Sequence, residues 1–239
     1  MNKKCPLNST TLRILAMALM LLDHLWATVI PGNDWMTYLG RLAFPIFAFQ
    51  AAEGYAHTHD FNRYCRRLLI FGLISEIPFN LMIIGSPVFP FHQNVMFTLL
   101  LGLLACRQID LLRTDSGNPV RRIALLALIG LGSILLFPDY GMLGVMTVIV
   151  FHVFRNVLGA KLAQLAFLCA IHVFGYEGQM LPLFGGTFEF PVQGFAVLAL
   201  IPIWLYNGEK GPGGRAFQYA AYAFYPAHML LLWCIRSLI

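Results

Sequence analysis

Charge is what this chain has least of. Asp, Glu, Lys and Arg make up 11% of its 239 residues, against about 25% in ordinary soluble domains. Acidic residues are scarcest, 11 beside 16 Lys and Arg. Cysteine is sparse too: Cys5, Cys65, Cys106, Cys169 and Cys234 are scattered, with no CxxC spacing. Neither a disulfide framework nor a thiolate metal site is therefore expected, and no metal is assigned. Apolar residues fill the rest, at 59% of the chain with a mean hydropathy of +0.70. That composition excludes a soluble globular domain and predicts an all-α, polytopic integral membrane helical bundle, with residues 1–239 forming one membrane domain.

A bilayer crossing takes about 20 apolar residues. Nine spans are expected, at roughly 12–30, 38–57, 66–84, 93–109, 121–137, 140–155, 161–175, 190–206 and 217–238. Lys3, Lys4 and Arg13 flank the first span and put its start in the cytoplasm. That span exceeds the usual signal-peptide core and lacks a small-x-small cleavage site, so no cleavage is expected. With the N-terminus inside, every Lys and Arg except Arg41 and Arg236 falls at an inner loop or inner span end. The outer loops carry Asp34, Asp139, Glu177 and Glu189 and no basic residue. The net charge of +5 is thus topological, and no nucleic-acid partner is implied.

Ionisable groups inside spans cost about 2.5–3.5 kcal/mol each on insertion scales, so each needs a partner or a task. Asp23, His24, Arg41, Glu53, His57, Glu76, His152, His172 and His228 are such groups. His24 lies about 18 Å into an outward-running helix, with Glu76 and His228 at similar mid-depth. Arg41, Gln93 and Asn94 enter from the outer side, while Glu53 and His57 sit toward the cytoplasm beside Arg63, Arg66 and Arg67. Arg13 and His24 are eleven residues apart, about three whole turns, so they share one helix face about 16 Å apart. A long anionic ligand entering from the cytoplasm could leave its phosphates at Arg13 and its other end at His24. Asp23 points about 100° away from its neighbour His24, needs its own cation, and takes Arg41 as first candidate.

Plainer readings stand beside these. Asp23 and His24 could be interfacial polar residues, and Arg41 an anchor beside Trp35 and Tyr38. Glu53 and His57, at i and i+4, could simply join helices; a metal site there would need further ligands. His152 and His172 read as packing or interfacial groups, and His59 and His92 have no assigned role.

Five segments, LRILAMALMLLDH, GRLAFPIFAFQAAEGYAHT, LLIFGLISEIPFN, QNVMFTLLLGLL and FYPAHMLLL, resemble in that order the TraX family of bacterial membrane proteins. The resemblance runs from about residue 10 to the C-terminus, strongest before residue 105 and after 222. It implies N-acetylation, the namesake being associated with acetylation of the N-terminus of conjugative F-type pilin. Arg13-x10-His24 also resembles the Arg-x10-His motif in the first helix of integral-membrane O-acyltransferases, whose histidine is held to be catalytic. LGRLAFPIFAFQAAEGY is similar, more loosely, to that group's Phe-Phe-x-x-Ser-Gly segment, and RYCRRL to its basic loop. Here Glu53-Gly54 stands in place of Ser-Gly, and no soluble domain is fused. The lysosomal glucosaminide N-acetyltransferases look like distant relatives.

The expectation is a multi-pass acyltransferase of the bacterial cytoplasmic (inner) membrane, with acetyl-CoA as donor substrate. Arg13, Arg63, Arg66 and Arg67 would hold the donor phosphates, with His57 and Glu53 nearby. His24 would act as general base on an acceptor amine or hydroxyl, oriented by Glu76 or His228 and supported by Asp23. Arg41, Gln93 and Asn94 would stabilise the oxyanion or bind the acceptor from outside, a pilin N-terminus, a glycan or another extracytoplasmic group. Two rivals use the same residues: a proton-coupled small-solute transporter and a scaffold for pilus or envelope assembly. Donor binding separates both from the enzyme.

Overall fold

The computed structural model describes residues 6–114, 117–155, 157–176 and 178–239. Lys3, Lys4, Cys5 and Glu177, which carry part of the expected charge and cysteine pattern, lie outside the described residues. Helices begin where short polar side chains can cap them. The Asn8 side chain accepts from the Thr11 N–H at the start of α1 (Ser9–Thr28). After α2 (Trp35–Gly40) and α3 (Ala43–His57), Asp60 does the same for α4 (Phe61–Ile84), and Asn94 for α5 (Val95–Arg113). Asn118 caps α6 (Pro119–Leu135), whose first residue is the proline that a helix start tolerates. Then follow α7 (Gly141–Val153), α8 (Ala160–His172), α9 (Leu200–Trp204) and α10 (Gly214–Arg236).

The fold is all-α in its frame, and each of the nine expected spans coincides with helical chain among the described residues. Two spans differ in detail. The one expected at 38–57 is interrupted at Arg41–Leu42, so that α2 and α3 meet at a break carrying the arginine. The one expected at 190–206 begins as a strand. β1 (Met180–Leu183) and β2 (Phe188–Pro191) form an antiparallel hairpin, and a 3-10 run over Val192–Ala199 leads into α9. The cause is local: Gly185 and Gly186 both take positive φ to close the turn. An apolar–Gly-Gly–apolar stretch is a hairpin signal that a search for 20-residue runs passes over.

Helices α1, α4 and α5 are long and apolar enough to cross a membrane by length and composition. Their outward faces suit lipid. On α4, Leu69, Ile70, Leu73, Ile74 and Ile77 form one exposed stripe at helical spacing. On α6, Ser133 is the buried residue, whereas Val120, Ile123, Leu128, Leu131, Ile134 and Leu135 are exposed. Inside, small residues let helices close in: a Cβ on Gly102 of α5 would lie 2.7 Å from Val148 of α7. A Cβ on Gly144 of α7 would lie 2.6 Å from Thr98 of α5. Such contacts are how helices associate where water supplies little driving force.

Two ends of the bundle are tied by loops. At the basic end, the Ser9 N–H donates to the Glu209 carbonyl (2.9 Å) and the Thr10 N–H to that of Lys210 (3.2 Å). The Gly-rich segment before α10 is thereby strapped to the start of α1. At the other end, the Gln93 N–H donates to the Phe137 carbonyl (2.9 Å), and the Asp139 N–H to that of Gln93 (2.7 Å).

Candidate functional site

His24 lies on α1 and His228 on α10, and the two rings meet: His24 Nδ1 and His228 Nε2 are 2.7 Å apart. Their planes are within 7° of parallel. The opposite nitrogen of His228, Nδ1, sits 2.7 Å from the Phe224 carbonyl oxygen. A carbonyl only accepts, so Nδ1 of His228 carries the hydrogen and, in the neutral ring, Nε2 is the acceptor. His24 therefore donates through Nδ1 and keeps its lone pair on Nε2. The Phe224 ring stacks on His228 at 4.7 Å between centroids and holds it in place. The result is a histidine with one defined basic nitrogen, oriented by a second histidine.

Asp23, one residue away, faces elsewhere. Nη2 of Arg41 donates to both of its carboxylate oxygens at 2.7 Å, and the Thr37 hydroxyl donates to Oδ1 at 2.7 Å. Arg41 continues the network, Nη1 donating to Gln193 Oε1 at 3.4 Å. Nε2 of Gln193 lies 3.1 Å from His172 Nδ1, and His172 Nε2 lies 3.2 Å from the Thr147 hydroxyl, which donates to the Leu143 carbonyl. The Thr147 hydrogen being so engaged, His172 donates from Nε2 and accepts from Gln193 at Nδ1. Gln193 and His172 are thus members of the Arg41 network, which sequence reading missed in treating His172 as packing. The Nε–H of Arg41 is buried with no hydrogen-bond partner among the described residues.

Three cavities lie in succession between the basic end and His24, each sharing lining residues with the next. The first, about 440 Å³, is lined by Arg13, Glu53, His57, Arg67 and, from the Gly-rich segment, Lys210. It shares Arg13, Gln50, Tyr64, Gln218 and Tyr222 with a second of about 80 Å³. The second shares Phe47 with a third of about 40 Å³, lined by Asp23, His24, Tyr140, Tyr225 and Asp139. Arg13 sits between the first two, its Nε–H donating to Gln50 Oε1 at 3.4 Å. Beside the first, a further cavity of about 190 Å³ gathers Arg63, Arg67 and Arg215.

Other candidates lie elsewhere. Glu76 accepts from the Asn94 N–H (2.9 Å) and from its side-chain amide, so it helps start α5 and does not orient His24. Asn94 spends its remaining capacity on the Gly72 carbonyl (2.8 Å) and as the cap of α5. The Gln93 amide donates to the Pro90 carbonyl at 2.8 Å. All three sit at the turn between α4 and α5, and none of them lines the His24 cavity, where Gln93 and Asn94 were expected to meet the oxyanion or the acceptor. Arg66 is exposed at the head of the apolar α4 stripe and lines none of these cavities, because it stands three residues before Leu69 on the outward face. Its long stem suits an interfacial anchor.

Glu53 and His57 do pair, at 3.0 Å, but their main partner is Arg155. Its Nε and Nη2 reach the two Glu53 oxygens at 2.7 and 3.0 Å, and Nη2 lies 2.9 Å from His57 Nε2. This links α3 to the end of α7 at the wall of the first cavity. His152 also has a partner, Asp110 Oδ1 at 2.7 Å, with the Tyr55 hydroxyl donating to Oδ2 at 2.8 Å. In the turn between α4 and α5, His92 pairs with Asp139 at 3.5 Å, and that contact holds its pKa above the usual histidine value against the opposing effect of burial.

Comparison with known proteins follows the same residues. The chain is similar, at 28% identity over 97% of both chains, to a protein of Dichelobacter nodosus named "Probable fimbrial assembly protein FimC, serogroup H1". No solved structure matches. The family described as "TraX protein" matches residues 8–236, a stretch holding Arg13, His24, Arg41, Asp139 and His228 together, and the chain belongs to that family.

Proposed function

We propose that this protein is an acetyltransferase of the bacterial cytoplasmic membrane, moving an acetyl group from cytoplasmic acetyl-CoA to an amine or hydroxyl on the outer side. The observation that carries this reading is the run of three cavities from the basic end, past Arg13, to the His24 pocket. A donor with a phosphate-bearing head and a long thin arm ending in a thioester matches that sequence of spaces. Arg13, Arg67, Lys210 and, at the neighbouring cavity, Arg63 and Arg215 can hold phosphates through charge-assisted hydrogen bonds. The fimbrial-assembly name of the relative favours a pilin as acceptor, with a membrane-linked glycan as the other candidate.

The chemistry then runs through the tautomer derived above. The acceptor N–H or O–H approaches Nε2 of His24, which takes its proton as the nitrogen or oxygen attacks the thioester carbonyl. The tetrahedral oxyanion collapses, the C–S bond breaks, and the thiolate leaving group receives the proton from His24. His228 stabilises the transient positive charge by accepting from Nδ1, and Arg41, positioned by Asp23 and Gln193, keeps an unused Nε–H for developing negative charge. The test is transfer from radiolabelled acetyl-CoA by purified protein, with His24→Ala beside wild type. Loss of turnover with an unchanged melting temperature is expected; substantial turnover in His24→Ala refutes the assignment.

A further inference from the structure

The reaction above leaves its acceptor without a binding group. Gln93 and Asn94 do not line the His24 cavity, and Asp23 has both oxygens on Arg41. Of the two carboxylates lining the His24 cavity, Asp139 is the other. Its Oδ1 accepts from the Tyr140 N–H at 3.1 Å and faces His92, while Oδ2 has no partner among the described residues. Asp139 belongs to the loop between α6 and α7, opposite the donor cavities.

The backbone around it is unusual. Phe137 and Tyr140 take φ of 50° and 64°, a left-handed conformation that side chains other than glycine rarely adopt. The surroundings hold it there: the Phe137 carbonyl accepts from Gln93, the Asp139 N–H donates to Gln93, and the Thr98 hydroxyl donates to the Asp139 carbonyl. The Tyr140 ring lies flat on Phe44, with centroids 3.9 Å apart. Strain so thoroughly over-determined tends to mark a functional position.

We propose that Asp139 is the acceptor-binding carboxylate, receiving one N–H of an acceptor amine through Oδ2 at the far side of the His24 cavity while another faces His24 Nε2, with the strained Phe137–Tyr140 turn aiming it there. This rests on the acyl-transfer reading. His92 faces the other oxygen, Oδ1, at 3.5 Å and draws on the charge of the same carboxylate. An amine that arrives protonated meets a carboxylate among Phe44, Phe47 and Tyr225, passes one proton to Asp139 Oδ2, and loses the second to His24 as its freed lone pair attacks; a hydroxyl has a single hydrogen, which His24 needs.

The experiment uses detergent-purified full-length protein, acetyl-CoA, and n-butylamine or n-butanol as probe nucleophiles. Asp139→Asn, which keeps Oδ1 as acceptor for Tyr140, raises the KM for the probe at least tenfold while the acetyl-CoA Kd stays within twofold. His92→Gln lowers the same KM, an effect a merely structural Asp139 would not produce. The effect is larger with the amine than with the alcohol; equal effects on the two probes would overturn the assignment of Asp139 to an amine acceptor. The proposal is overturned if the probe KM of Asp139→Asn stays within twofold of wild type, if donor affinity falls in parallel, or if wild type binds acetyl-CoA yet acetylates neither probe. Failure of wild type to bind acetyl-CoA at all rejects the acyl-transfer reading itself, and Asp139 with it.

Discussion

Gly40 is the point where α2 presses on the Asp23 side chain, and Gly40→Ala tests whether that approach sets the Arg41–Asp23 geometry. A Cβ there would lie 2.4 Å from Asp23 Cβ and 2.8 Å from Cγ and Oδ1. Comfortable carbon contacts begin near 3.5 Å, so the two segments must part by roughly 1 Å. Arg41 is the next residue along, and a shift of that size stretches its 2.7 Å contacts to roughly 3.7 Å, beyond hydrogen-bond range. Forced overpacking of this kind costs about 1–3 kcal/mol. For a chain of this length that corresponds to a loss of about 2–12 °C in melting temperature. Thermal unfolding in detergent, followed by intrinsic fluorescence, reads the effect, with Gly132→Ala as control because its nearest neighbour is 3.7 Å away. Gly40→Ala melting with wild type, or above Gly132→Ala, would refute the reasoning.

Further outcomes follow from the same contacts. His228→Phe fills similar space but cannot accept from His24 Nδ1, so kcat falls by roughly 10²–10⁴-fold while the acetyl-CoA Kd is unchanged; titration calorimetry beside turnover checks both. Arg67→Gln weakens acetyl-CoA binding whereas Arg66→Gln leaves it at the wild-type value, because Arg67 alone of the two lines the first cavity. The raised pKa of His92 means that its protonated form stabilises the fold. That contribution is complete below the ordinary value of 6.5 and is lost as pH rises through the raised value. The melting-temperature difference between wild type and His92→Gln should therefore shrink as pH climbs from 6 to 8, and a difference that grows would contradict the pairing.

What could be read from the sequence followed helix periodicity. The common face of Arg13 and His24 depends on spacing within one helix; Arg13 lines the first two cavities and His24 the third. Asp23 and Arg41 were legible because each was an unaffordable charge without a partner, and they lie only eighteen residues apart. The His24–His228 contact bridges 204 residues; similar depth offered His228 and Glu76 alike, and only the fold, which turns Glu76 to Asn94, separates them. Gln193 hid in an apolar run that a hydropathy window reads as a span, and its amide has meaning only once Arg41 and His172 face it. Glu53 looked like a helical i,i+4 pair with His57, but Arg155 outcompetes it with two charge-assisted bonds. Asn94 is the instructive miss: a polar residue entering a span reads as a site residue, although an N-cap needs just such a side chain.

The most direct measurement is acetyl-CoA binding to detergent-purified protein, comparing wild type, Arg13→Ala and His24→Ala. The account predicts that wild type binds, Arg13→Ala weakens binding about tenfold or more, and His24→Ala binds nearly as wild type. Absence of acetyl-CoA affinity in wild type would contradict the account and leave the buried His, Asp and Arg groups to be tested as a proton-coupled transport path.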